Sequence, residues 1–236
     1  MNDTSRLLTS DSELPEVAAV PAPWRLAGDG WILALELPEA ARHAAAHIPP
    51  ELRDCPLGGP AVVMFVDYAE SPAGPYRELL YIPGRFTLPD GQHAWSVTRI
   101  YVSTWESVVN GRRNWGIPKD HADFRRSYSG TGETVSAHVG GREIARLQLA
   151  ARGPALPVSA GLLPRGLRRL VQFHGGRRFE LAPGGRGRAR LATAVALHSD
   201  PELFPDLAAA RVRLAMKVER FALEFPRAAV VAQTPR

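Results

Sequence analysis

"AVVMFVDYAESPAGPYRELLYI", residues 61–82, reads as two β-strands folded about one turn. Both flanks are rich in β-branched and aromatic side chains, and "SPAGP" between them gathers residues that break regular structure. In the second strand Tyr76, Glu78, Leu80 and Ile82 share one face, and Arg77, Leu79 and Tyr81 share the other. Glu78 therefore stands in an otherwise aromatic and aliphatic row. A carboxylate there either meets water or an arginine at a sheet edge, or sits in a pocket where it can move protons.

The same pattern extends in both directions along the chain. "GWILALEL" (30–37) and "AWSVTRIYV" (94–102) read as strands, and "DFRRSYSGTGETVSAHVGGREIARLQL" (123–149) as three strands with two glycine turns. "LRRLVQFHGGRRFEL" (167–181) reads as a hairpin and "ARLATAVAL" (189–197) as a buried strand. "RVRLAMKVERFALEF" (211–225) alternates so that Val212, Leu214, Met216 and Val218 face inward and Lys217 faces solvent. Two helices are predicted. "PEAARHAAAHI" (38–48) has Pro38 in its first turn, and "STWESVVNG" (103–111) pairs Ser103 with Glu106 as a capping box and stops at Asn110-Gly111. "PGGRGRAR" (183–190) fits neither phosphate-loop pattern and reads as a turn. Strands recurring roughly every 8 to 12 residues predict an α+β fold, mainly antiparallel β, with a barrel-like core and short peripheral helices. Residues 21–236 form one domain, and residues 1–20, polar and acidic, a tail or loosely docked arm.

Composition narrows the function. The net charge of +5 hints at anionic partners, but the arginines are scattered rather than massed in a stripe, so no nucleic-acid partner is expected. Cys55 is the only cysteine, which excludes an internal disulfide, and "RDCPLGGP" offers it no neighbouring base. The first residues lack the apolar core of a signal peptide and no apolar run approaches a membrane span, so a cytoplasmic protein without a membrane partner is expected. His43 and His47 lie four residues apart on the first helix without a third ligand, so no metal and no cofactor is expected.

Of 29 basic residues only Lys119 and Lys217 are lysines. Lys119 follows "WGIP", in which Pro118 fixes its own backbone angle and biases Ile117 towards an extended conformation. A stiff apolar lead-in of this kind can hold an amine in a low-polarity pocket. Burial disfavours an ammonium, and a neutral amine attacks carbonyls to form Schiff bases.

"SPAGPYRELLYIP" followed some forty residues later by "NWGIPKD" resembles the acetoacetate decarboxylase superfamily, and the similarity runs over nearly the whole chain from "PWRLAGDGWIL" to "EFPRAAVV". The resemblance implies a decarboxylase-like barrel, a homo-oligomer of two or more copies, Lys119 as Schiff-base nucleophile and Glu78 as pocket carboxylate. Tyr76, Trp115 and Phe65 become candidate pocket walls. The departures are equally specific. Where the decarboxylases carry a second lysine this chain has Asp120, where they carry a carboxylate-binding arginine it has Asp29, with Arg25 as the local substitute, and where they carry a second glutamate it has Val63. The resemblance therefore implies a Schiff-base-forming lyase on a small keto acid or related carbonyl compound, of aldol, dehydration or hydration type rather than an acetoacetate decarboxylase. The alternative is a non-catalytic barrel that binds a small molecule. The orientation of Asp120 separates the two.

Overall fold

The computed structural model describes residues 9–44, 48–130 and 132–232. Its first half comprises β1 (Trp24–Glu36), α1 (Glu39–Arg42), β2 (Leu57–Gly58), β3 (Ala61–Glu70), β4 (Tyr76–Ile82), β5 (Arg85–Thr87), β6 (His93–Trp95) and β7 (Arg99–Val102). Then come α2 (Trp105–Trp115), β8 (Lys119–His121), β9 (Asp123–Ser129), β10 (Gly132–Val139) and β11 (Arg142–Ala151). The chain closes with β12 (Leu156–Ser159), β13 (Leu170–His174), β14 (Arg177–Leu181), β15 (Gly184–Ser199), β16 (Arg211–Phe225) and β17 (Ala229–Ala232).

An 11-stranded sheet runs β8-β7-β4-β3-β1-β16-β15-β11-β10-β9, with β12 added to β15. Its two edge strands, β8 and β9, are consecutive in the chain, separated by Ala122, so the sheet curls into a nearly closed barrel. Trp31, Leu33, Val63, Phe65, Tyr81, Val135, Leu147 and their neighbours fill the interior. A second sheet, β17-β14-β13-β6-β5-β2, stands beside it. The fold is thus mainly antiparallel β with two α-helices among the described residues, as the strand count implies. One strand-helix-strand unit interrupts the antiparallel pattern: α2 connects β7 to β8, which lie parallel with Ile100 opposite Lys119.

The β3–β4 hairpin follows the alternation of its sequence, with Val66 opposite Glu78 and Tyr68 opposite Tyr76. Ser71 closes the turn by accepting the Ala73 amide through its hydroxyl and the Gly74 amide through its carbonyl.

Several elements depart from expectation. The first helix is one turn, Glu39–Arg42; residues 45–47 of its expected span, including His47, lie outside the described residues. In α2 the cap is Thr104, whose hydroxyl accepts the Ser107 amide, while the Ser103 hydroxyl accepts the Arg77 amide. The helix passes through Asn110-Gly111 and stops at Gly116, which takes a left-handed φ of 64°. "PGGRGRAR" is the start of β15 rather than a turn, because long β16 pairs with it from Gly184 opposite Glu224 onward. Strand β15 is not buried: Leu191 and Val195 are 63% and 65% exposed.

Lys217 is likewise not a solvated lysine. A bulge between Ala34 and Leu35 of β1 shifts the register, and beyond it Trp31 and Leu33 face Lys217 and Ala215. The extra residue exchanges the two faces of the strand, turning Lys217 inward and leaving Leu214 at the surface. The Lys217 amine lies 4.8 Å from the Trp31 ring centre and 3.4 Å from the Glu133 carboxylate.

Candidate active site

Five neighbouring strands turn one set of side chains to the outer face of the barrel wall. Trp24 and Leu26 come from β1, Tyr68 from β3, Tyr76, Glu78 and Leu80 from β4, Ile100 from β7 and Lys119 from β8. Each position follows from the period-2 alternation, since Lys119 is paired with Ile100 and Glu78 with Val102, and both partners belong to the same apolar cluster. Helix α2 covers Lys119. Ser107 and Gly111, four residues apart and so on one side of the helix, both meet it.

The Lys119 amine is buried and donates to Glu78 Oε2 at 2.9 Å and to Ser107 Oγ at 3.0 Å. It also stands over the Tyr76 ring, 5.0 Å from its centre. The other carboxylate oxygen, Glu78 Oε1, accepts the Tyr68 hydroxyl at 3.2 Å. Burial first, and then the Glu78 charge, push both tyrosine phenols well above the ordinary range, so they remain protonated donors. The remaining walls, including Val97, Trp115, Ile117 and Phe225, are apolar, and the cavity volume is about 30 Å³. Trp24 meets Trp115 edge-on at 5.0 Å, and the Trp115 indole donates to the Pro226 carbonyl at 2.7 Å.

Thus Lys119, Glu78, Tyr76 and Trp115 come together around one cavity. Phe65 and Arg25 do not. Phe65 is odd-numbered on β3, so it points into the barrel with Trp31 and Leu79 rather than towards Glu78. Arg25 projects from β1 on the side opposite Trp24 and Leu26 and is exposed. Asp29 is also remote, its carboxylate accepting the Arg220 amide at 2.8 Å.

Asp120 points away from Lys119, as successive residues of a strand do. Its carboxylate accepts the Thr9 amide at 2.9 Å, the Thr9 hydroxyl at 2.7 Å and the His121 amide at 2.9 Å. Residues 9–20 run as an arm along α2. The Asn110 side chain accepts the Val20 amide and donates to the Ala18 carbonyl, and Asn114 donates to the Val20 carbonyl. Arg112 joins arm and site, donating through Nε to the Lys119 carbonyl at 2.8 Å and through Nη1 to the Thr9 carbonyl and the Asp11 carboxylate.

Ser107, Gly111, Arg112 and Tyr68 escaped the sequence reading. For Tyr68 a signal existed: continuing the register outward from the "SPAGP" turn sets it opposite Tyr76, on the face of Glu78. For Ser107 and Gly111 the signal is their spacing of four, which carries meaning only once the helix is known to continue past Gly111.

The family model for acetoacetate decarboxylase (ADC) matches residues 15–217. Among solved structures, the fold is similar to an acetoacetate decarboxylase from Legionella pneumophila subsp. pneumophila str. Philadelphia 1, with TM-score 0.66, 16% identity and 94% of each chain covered. It is also similar to the enduracididine biosynthesis enzyme MppR complexed with the condensation product of pyruvate and imidazole 4-carboxaldehyde, with TM-score 0.62, 13% identity and 90% of each chain covered. A curated relative, Protein NEOXANTHIN-DEFICIENT 1 of Oryza sativa subsp. japonica, is 34% identical over 110 residues, which are 44% of this chain and 34% of that protein. The match thus spans about a third of the relative's length. The family model covers the arm's end, the cavity strands, α2 and the lysine segment together, and on that extent the chain belongs to the acetoacetate decarboxylase family.

Proposed function

We propose that the protein is a Schiff-base-forming lyase acting on a small carbonyl compound, with Lys119 as nucleophile and Glu78 as proton carrier. The observation that carries this reading is the direct 2.9 Å contact between the two groups inside an apolar cavity. Within such a pair the ammonium can hand its proton to the carboxylate without changing the net charge, and low polarity narrows the gap between the ionic and neutral forms. The freed amine adds to the carbonyl carbon while the C=O π pair moves to oxygen. Glu78 then returns the proton to that oxygen, takes a second proton from the nitrogen of the adduct and passes it to the new hydroxyl, which departs as water and leaves an iminium paired with the carboxylate. Removal of an α-proton by Glu78 gives an enamine, the intermediate common to aldol cleavage and dehydration. The Tyr68 hydroxyl on Oε1 fixes the carboxylate so that Oε2 serves the amine.

A second reading, a small-molecule-binding barrel without turnover, is favoured by the multiple contacts that hold the amine. We also propose self-association, for which the exposed Leu156, Leu191 and Leu214 provide apolar surface; a monomeric mass by light scattering would count against it.

The test is reductive trapping with cyanoborohydride and a panel of aldehydes and ketones, followed by peptide mapping. Modification at Lys119 that disappears in Lys119→Arg supports the reading, because a guanidinium does not deprotonate to attack a carbonyl. An adduct confined to Lys217 or the terminal amine overturns it. Trapping at Lys119 with no turnover of any compound would favour the binding reading.

A further inference from the structure

We propose that the cavity selects an uncharged carbonyl compound, an aldehyde or ketone carrying no carboxylate, rather than a keto acid; this rests on the Schiff-base reading of Lys119. The argument is a count of charges. Among the described lining residues only Lys119 and Glu78 are charged, and they are already paired at 2.9 Å. The tyrosine phenols remain neutral, and the other walls are tryptophan, phenylalanine and aliphatic side chains.

Among the described residues no guanidinium lines this cavity to receive a substrate anion. Arg112 touches the lysine segment, but it grips the Lys119 carbonyl, Thr9 and Asp11, and it lines a separate groove between α2 and the arm. Arg25 lies on the opposite side of β1 and is exposed.

Lys119 cannot fill the gap. To attack, it must be a neutral amine, so it is not available at that moment as the cation for a substrate carboxylate. Once the iminium has formed, its single positive charge faces Glu78, and a substrate carboxylate would be a second anion sharing one cation inside apolar walls. An uncompensated charge in such surroundings is strongly disfavoured, whereas a neutral aldehyde or ketone carries no such penalty.

A substrate without a carboxylate has no carbon dioxide to lose, and the chemistry is confined to the carbon next to the iminium: carbon–carbon cleavage whose electron pair forms the enamine, or α-proton removal to the enamine followed by loss of a β-hydroxyl as water.

The deciding experiment compares methyl pyruvate with pyruvate, and propanal with glyoxylate, in cyanoborohydride trapping by the unmodified protein. Hydride adds to the imine carbon, so each adduct exceeds Lys119 by the mass of the carbonyl compound less one oxygen. Each rate is divided by the rate of the same compound with Nα-acetyllysine, which removes intrinsic electrophilicity. The expected result is at least a tenfold preference at Lys119 for methyl pyruvate over pyruvate and for propanal over glyoxylate. Equal rates, or a preference for the acids, overturn this inference and leave the Schiff-base reading standing. The absence of an adduct at Lys119 with all four compounds overturns both.

Discussion

Gly111 and Lys119 occupy adjoining space with no room for a methyl group between them: a β-carbon at Gly111 would lie 2.6 Å from Lys119 Cδ and 2.9 Å from Cε. The lysine cannot swing clear, since its carbonyl is held by Arg112 and its amine by Glu78 and Ser107. In Gly111→Ala the better helix former contributes about 1 kcal/mol, while overpacking costs about 1–3 kcal/mol. The expected outcome is a net loss of up to about 2 kcal/mol in urea unfolding, with trapping at Lys119 slowed at least tenfold. A parental trapping rate would show that the side chain relocates freely.

Glu78→Gln separates imine formation from proton transfer. The amide still accepts from Tyr68 but no longer carries a charge opposite the amine, and breaking a buried ion pair costs about 3–5 kcal/mol unless the partner becomes neutral. We expect lower stability, persistent trapping at Lys119, and loss of deuterium exchange at the α-carbon of a bound ketone by NMR. Exchange at the parental rate would remove Glu78 from the mechanism.

Asp120 serves the arm and not the amine, so Asp120→Ala should loosen residues 9–20 and leave the chemistry intact. Three hydrogen bonds to a carboxylate are lost, each worth about 1.5–3 kcal/mol where fully formed and less at a partly exposed site. Faster protease cleavage within the arm, with a trapping rate within twofold of the parent, is the expected pair of results. A tenfold change in trapping would place the Asp120 charge in the cavity.

Alkaline pH should unfold the protein through its tyrosines. Burial pushes the Tyr101 phenol up to about 12, and Tyr68, Tyr76 and Tyr81 are raised as well. A phenol raised in the folded state stabilises fully below its unfolded value of about 10, and the contribution is lost as pH climbs through the folded value. Tyr101 alone accounts for about 3 kcal/mol between about pH 10 and 12. Of the five tyrosines only Tyr128 lies open at the surface. A phenolate absorbance titration should therefore give one reversible ionisation first, and the other four together with the change in tryptophan fluorescence. More than one phenolate in a protein with native fluorescence would contradict this.

The fold was legible wherever alternation and turn chemistry agreed. The β3–β4 hairpin, the β9–β11 meander and the β13–β14 hairpin stand where the residues put them. Lys119 and Glu78 could be singled out because each is chemically out of place: a lysine in an arginine-rich chain, and a carboxylate in an apolar row. Illegible features depended on tertiary contacts. Asn110-Gly111 resembles a helix stop, yet Asn110 is occupied by the arm and Gly111 supplies clearance for a lysine, and neither partner is local. Lys217 alternates as a solvated residue would, because a bulge on one side of a strand pair leaves no mark in an alternating sequence. Phe65 lies an odd step from Tyr68, so the register that sets Tyr68 on the face of Glu78 sets Phe65 on the other, and Arg25 stands near the place of the family arginine without reaching the cavity.

Helix α2 presents one side to Lys119 through Ser107 and Gly111 and another to the arm through Asn110 and Asn114. Deleting or inserting a single residue turns everything beyond it by about 100°, which would break both engagements at once. Over generations the helix is thus free to vary in composition at its exposed positions, Glu106 and Arg113, but frozen in length. Insertions belong instead at the Gly140-Gly141 and Gly175-Gly176 turns, where nothing stands within 4 Å of an added β-carbon. Lineages of this protein should differ in size at those turns and hold constant the count from Thr104 to Lys119.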